Sequence, residues 1–166
     1  MCRVCEGFTI DDVMALDAVR IAEVGYGIQG VIAPSGDHDD GVGAWAYTVG
    51  LLDAAGHPEM IIAGVAPDLA ASVLSVLAQS ALEGERYLVG ETIDLGGPIA
   101  RVGYVHDVQY ELGTFSTWFR LIMAGVLRES TLDAVQIILP VDGPPFGARS
   151  SQPLLSLPEE RVDIVV

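Results

Sequence analysis

The chain has 166 residues, 51% hydrophobic and 19% charged, which fits one folded domain and excludes a disordered chain. Its 23 acidic residues against 8 basic ones give a formal charge of −15, and no basic stripe is present to displace phosphate counterions, so direct nucleic-acid binding is not expected. The longest apolar runs, such as Met60 to Ala66, fall far short of the ~20 residues that span a bilayer, and the opening MCRVCEGFTIDD carries no basic-then-apolar leader. A soluble, cytoplasmic protein is the expectation. Lysine and asparagine are absent, a bias of GC-rich codons that carries no functional message.

Helical spacing begins at Thr9 and runs to Val24, with Thr9 as N-cap, Asp12 three residues on, and Gly25 suited to the stop. Ile10, Val13, Met14, Ile21 and Val24 share one face, and Asp17 falls in the middle of that stripe. Asp17 reads either as a slight rotation of the face with pairing to Arg20, or as a buried carboxylate. A strand follows over Tyr26 to Ala33, then a Gly- and Asp-rich loop, Pro34 to Gly43. Trp45, Tyr47, Val49 and Leu51 alternate with smaller residues at the period of a strand, and Met60 to Val65 gives a third.

Pro67 and Asp68 open a second helix that continues through Leu69, Val73, Val76 and Leu77 to Leu82, ahead of Gly84. Glu91 to Leu95 and Ile99 to Val105 read as strands split by Gly96, Gly97 and Pro98. A third helix carries Phe115, Trp118, Phe119, Ile122, Met123 and Val126 at helical spacing, its aromatics read as core. Ala134 to Leu139 is the last clear strand, and 141–158 is irregular and proline-rich. Strands joined by short connections favour antiparallel pairing. The expected fold is α+β, a mostly antiparallel twisted sheet or half-open barrel with about three packed helices, in one domain over 1–166.

Familiar chemical motifs are scarce. Gly25-Tyr-Gly-Ile-Gln-Gly30 matches G-x-G-x-x-G, but it follows a helix and enters a strand, the reverse of a dinucleotide-binding turn. Cys2-Arg-Val-Cys5 uses both cysteines, and two thiolates at this spacing are half of a zinc site, with His57 as a candidate third ligand; the bland alternative is a pair of idle thiols. Asp37-His-Asp-Asp-Gly41 reads as a solvated turn, since the pattern of a calcium loop is missing. His57 and Glu59, two residues apart at a strand entrance, suit acid–base work or metal binding; the bland reading is a turn histidine. Tyr47, Thr48 and Gly50 are candidate ligand-binding residues, because glycine lets backbone approach a ligand closely.

At these residues the chain resembles the bacterial family catalogued as domain of unknown function 4262. The resemblance rests on Met1-Cys-x-x-Cys5-Glu6, Tyr26-Gly27 to Gly30-Val31, Tyr47-Thr-Val-Gly-Leu51, His57-Pro-Glu59, the strand around Gln136, and Gln152-Pro-Leu-Leu155. Where relatives show a tryptophan-proline-aspartate stretch, this chain has Leu139-Pro140-Val141-Asp142. The resemblance implies one domain and no assigned activity, and it adds weight to the two cysteines and His57.

The function expected from the sequence is a binding or interaction domain for a small molecule or protein, with a small metal site formed by Cys2, Cys5 and His57 and zinc as its metal. Two alternatives stand beside it. One is an enzyme using His57 and Glu59, or a flavin-type cofactor in a sheet pocket at a homodimer interface. The other is an acidic inhibitor or nucleic-acid mimic.

Overall fold

The computed structural model describes residues 7–32, 44–128, 131–140, 152, 155 and 156. The first helix, α1 (Ile10–Val24), starts as its sequence dictates. The Thr9 hydroxyl accepts from the Asp12 N–H while the Asp12 carboxylate receives the Thr9 N–H, and Gly25 closes the helix in the left-handed conformation. These exchanges satisfy donors that no helical turn precedes. Strands β1 (Gly27–Ile32) and β2 (Ala44–Val49) follow, then a short helix α2 (Leu51–Ala55) and strand β3 (Glu59–Ala63). Next come α3 (Pro67–Leu82), β4 (Thr92–Asp94) and β5 (Ile99–Tyr104). Two helices, α4 (Val108–Glu111) and α5 (Ser116–Met123), lead to β6 (Ala134–Ile138).

The six strands form one sheet in the order β1-β2-β3-β6-β5-β4. Every neighbouring pair is antiparallel except β3 and β6, which run parallel. The sheet is open, so of the two expected forms the twisted sheet is the one adopted, with three helices of substantial length and two short ones. The parallel pair arises because β6 reaches β3 only after the long excursion through α3 to α5, the kind of crossover that parallel neighbours require.

Both faces of the sheet are covered. Ala46, Met60, Ile62, Ala100, Val102, Val135 and Ile137 face α3 and pack with its Ala70, Leu74 and Ala78. Trp45, Tyr47, Val49, Ile61 and Ala63 face the opposite side with Phe115, Trp118 and Leu121. This explains why β2 is buried along its whole length: its large residues fill one layer and its alanines let α3 approach on the other. The segment after β6 returns to the sheet through glutamines. Gln136 Oε1 accepts from Leu155 N at 2.8 Å, and Gln152 Oε1 accepts from Leu139 N at 2.9 Å.

Three sequence expectations need correction. Leu51 does not continue β2; Gly50, at φ 98°, turns the chain into α2 instead. On α3 the apolar residues read along the helix, Leu69, Val73, Val76 and Leu77, do not all meet the sheet. Ala70, Leu74, Leu77, Ala78 and Ala81 are buried, and Val76 is 66% exposed. On α5 the core positions are Trp118 and Leu121, whereas Phe119 and Met123 are exposed. Helical spacing marks an apolar face without saying which of two adjacent faces meets the sheet.

Candidate functional site

The residues singled out in the sequence gather around the turn from β2 through α2 into β3. Glu59 is fully buried at the first position of β3. Its carboxyl oxygens accept from the Thr48 hydroxyl at 2.6 Å, from Gly50 N at 2.8 Å and from Leu52 N at 3.3 Å. The last two donors are among the N–H groups that α2 leaves unpaired at its start, so Glu59 caps α2 from a distance in sequence. Thr48 in turn accepts from Met60 N at 2.8 Å, tying the end of β2 to the start of β3. Burial pushes the Glu59 carboxyl up to about 7, against the lowering effect of these hydrogen bonds.

His57 is buried, with both ring nitrogens engaged. Nδ1 lies 2.7 Å from the Pro58 carbonyl and Nε2 accepts from Tyr87 N at 3.1 Å. These partners fix a neutral ring with the proton on Nδ1. Burial holds its pKa below the usual histidine value, and the Tyr87 ring meets the imidazole edge-on at 5.4 Å. A metal at His57 would have to displace the Tyr87 N–H. Cys2 and Cys5 lie outside the described residues, as does the Asp37 to Gly41 loop, and among the described residues no three His, Cys, Asp or Glu side chains gather as a metal set would require. Replacing His57 with alanine is expected to cost about 2–4 kcal/mol, from a cavity and an orphaned amide. The check is chemical denaturation together with faster hydrogen exchange at Tyr87 N–H.

Tyr47 is buried on the other face of the sheet. Its hydroxyl accepts from Thr117 N at 3.0 Å, which caps α5, and its ring meets Phe115 edge-on at 5.0 Å. Asp17 is indeed buried, at 3% exposure, and it accepts from the Gln29 side-chain amide. The Arg20 guanidinium lies over the Tyr26 ring at 5.8 Å. Gln29, on β1, thus links α1 to the sheet, and Thr117 Oγ1 approaches Gln29 Oε1 at 3.5 Å.

Thr48, Gly50 and Glu59 therefore share one hydrogen-bonded frame, His57 is held beside it by Pro58 and Tyr87, and Tyr47 serves α5 on the opposite face. A carboxyl that titrates near neutrality has the value acid–base chemistry wants, but both of its oxygens are committed to internal donors. An accessible concavity among the described residues lies elsewhere. A groove of about 410 Å³ runs between the outward flank of α3 and β4, lined by Leu69, Val73, Val76 and Leu77 on one side and Ile93 and Leu95 on the other. Its polar lining consists of Ser72, Ser80, Asp94 and Tyr87. Tyr87 joins frame and groove, since its backbone holds His57 and its ring lines the wall. Sequence reasoning missed the groove. The available signal was a helix apolar on two adjacent stripes, wider than one sheet contact needs.

Open sheet, two helical layers and a self-capped β2–α2–β3 turn define an α+β domain whose signature residues face inward. The model of the family described as domain of unknown function (DUF4262) matches residues 20–144, and the chain belongs to that family. The matched span contains the whole β2–α2–β3 frame and begins after Cys2 and Cys5. Neither a curated protein nor a solved structure matches the chain. Among the described residues no helix is long and apolar enough to cross a membrane.

Proposed function

We propose that this protein is a binding domain that works through the groove between α3 and β4, with His57 holding the Tyr87 wall, Thr48, Gly50 and Glu59 fixing the β2–α2–β3 turn, and Tyr47 securing α5 on the opposite face. The observation that carries this reading is a division of labour. The chemistry-bearing side chains spend their polar atoms on backbone groups and on one another, while an apolar concavity is left open to solvent beside them. Concave, mostly apolar sites with a few polar groups are where ligands bind, and an exposed apolar patch of this kind marks an interaction surface.

Nile red, a neutral apolar dye, tests the reading without favouring either charge. Binding at one site with a blue-shifted emission is expected. Ser72→Phe, at an exposed position in the groove wall, should weaken it by about tenfold by filling the space, with little change in stability. Dye binding that ignores Ser72→Phe would place the ligand site elsewhere.

A further inference from the structure

We infer that the occupant of this groove is a basic, amphipathic α-helix of a partner protein, laid beside α3 over the β4 end of the sheet. The inference rests on the groove being the binding site, and two observations give it its content. The first is a gap in the helical layer. The gap lies at the β4 edge: on the α3 face Val135, Ile137, Ala100 and Val102 of β6 and β5 are buried, whereas Ile93 and Leu95 are only partly buried. The densest sheet contacts of α3 are with β1, β2 and β3, and among the described residues no helix makes more than marginal contact with β4.

The apolar side chains at the border of the gap are already presented. Leu69, Val73, Val76 and Leu77 recur along α3 at helical spacing, facing Ile93 and Leu95 across the groove. A helix with its own apolar residues at i, i+3, i+4 and i+7 would interdigitate with that stripe, the recognition mode in which an amphipathic helix fills an apolar groove. It would also bury Val76, which stands 66% exposed.

The second observation is the sign of the rim. Asp68 stands at the first turn of α3 and Glu83 at its far end. Glu85 is close enough to Tyr87 to raise the pKa of that phenol. Glu91 precedes β4, while the Asp94 carboxylate alternates away from Ile93 and accepts from the Gly96 and Gly97 N–H groups of the β4–β5 turn. Against these four stands Arg86, whose guanidinium donates to the Ala55 carbonyl at 2.7 Å. Arg101 alternates with Ala100 and Val102 on β5, so it points to the opposite face of the sheet. An acidic rim around an apolar floor selects a cationic partner and repels a second copy of this chain, whose charge is −15.

The probe is a synthetic leucine/lysine peptide of the 16-residue length of α3, with leucine at helical spacing and lysine elsewhere, titrated as a fluorescent conjugate into the full chain. Expected are one-to-one binding with a gain of helical circular dichroism, displacement of Nile red, and weakening as salt rises. Val76→Glu is the decisive variant. It removes apolar contact and adds an anionic charge, so seating of an apolar face predicts about tenfold weaker binding, whereas mere adhesion to an acidic surface predicts equal or tighter binding and overturns the inference. Glu85→Gln combined with Glu91→Gln should weaken the peptide and flatten its salt dependence, with the Leu88 N–H bond kept by the glutamine oxygen.

A leucine/glutamate peptide that binds as well would overturn the choice of a basic partner and leave the groove reading intact. Nile red that seats in the groove while the leucine/lysine peptide fails to displace it would overturn the helix and keep the groove as a small-molecule site. Dye that does not bind at all removes the groove reading itself.

Discussion

Gly50→Ala should destabilise the protein by about 3 kcal/mol. Gly50 holds φ at 98°, a conformation that costs a side-chain-bearing residue about 1–2 kcal/mol. A Cβ there would also meet Ile21 Cγ2 at 3.1 Å and the Gly25 carbonyl oxygen at 3.2 Å. The Gly25 carbonyl is backbone at the end of α1, so it cannot move aside as a flexible side chain would, and crowding adds about 1–3 kcal/mol. Gly56, at φ 61°, supplies the control. A Cβ at Gly56 would find its nearest neighbour, Arg86 Nη2, at 4.0 Å, so Gly56→Ala should cost only the backbone part, about 1 kcal/mol. Equal losses in the two variants, measured by urea denaturation, would show that the packing of α1 against the β2–α2 turn contributes nothing.

Stability should fall by about 2–3 kcal/mol between pH 5 and pH 8 through Glu59 alone. The folded carboxyl titrates at about 7, against 4.5 for the ordinary side chain. Across that window the folded protein holds a proton that the unfolded chain has released, so protonation favours the folded state. The contribution is fully present below the unfolded value and is lost as pH rises through the folded one. Above pH 8 the curve should be flat in this respect, because both states are then ionised.

Glu59→Gln, which keeps an oxygen for the Gly50 and Leu52 amides, should remove the slope. The difference in unfolding free energy between wild type and Glu59→Gln, measured at intervals from pH 5 to pH 8, isolates it. His57 acts in the other direction. Its folded pKa is depressed, so its stabilisation is present above the ordinary histidine value and fades as pH falls below it. Glu59→Gln should therefore retain a rising limb below about pH 6.5. A wild-type curve parallel to that of Glu59→Gln would mean that Glu59 is ionised inside the fold throughout.

Much of this protein was legible along the chain because the relevant physics is local. Thr9, Asp12 and Gly25 bracket α1 by hydrogen bonds that reach no farther than four residues, and Pro67 starts α3 through its own fixed φ. The rejection of Gly25 to Gly30 as a dinucleotide turn also held, since those glycines end a helix and enter β1. His57, Glu59, Tyr47, Thr48 and Gly50 stood out along the chain as candidates, and the structure joins Thr48, Gly50 and Glu59 by hydrogen bonds. What they do was not legible, because each one's partner lies far away: Tyr87 for His57, Thr117 for Tyr47, and the start of α2 for Glu59. The same residue types at the same spacing serve a catalytic pair or a structural cap, and only the identity of the partner separates the two.

By itself the sequence determined the α+β class, most element boundaries, the acidic surface and the family, since periodicity, capping residues and charge are properties of neighbours along the chain. The tertiary structure decided which apolar stripe of α3 faces the sheet and which borders a groove, and that Leu51 leaves β2 to begin a helix. It also turned the most reactive-looking side chains inward. Those outcomes depend on which surfaces meet across the sheet, and burial follows from the sum of contacts made by residues distant in sequence.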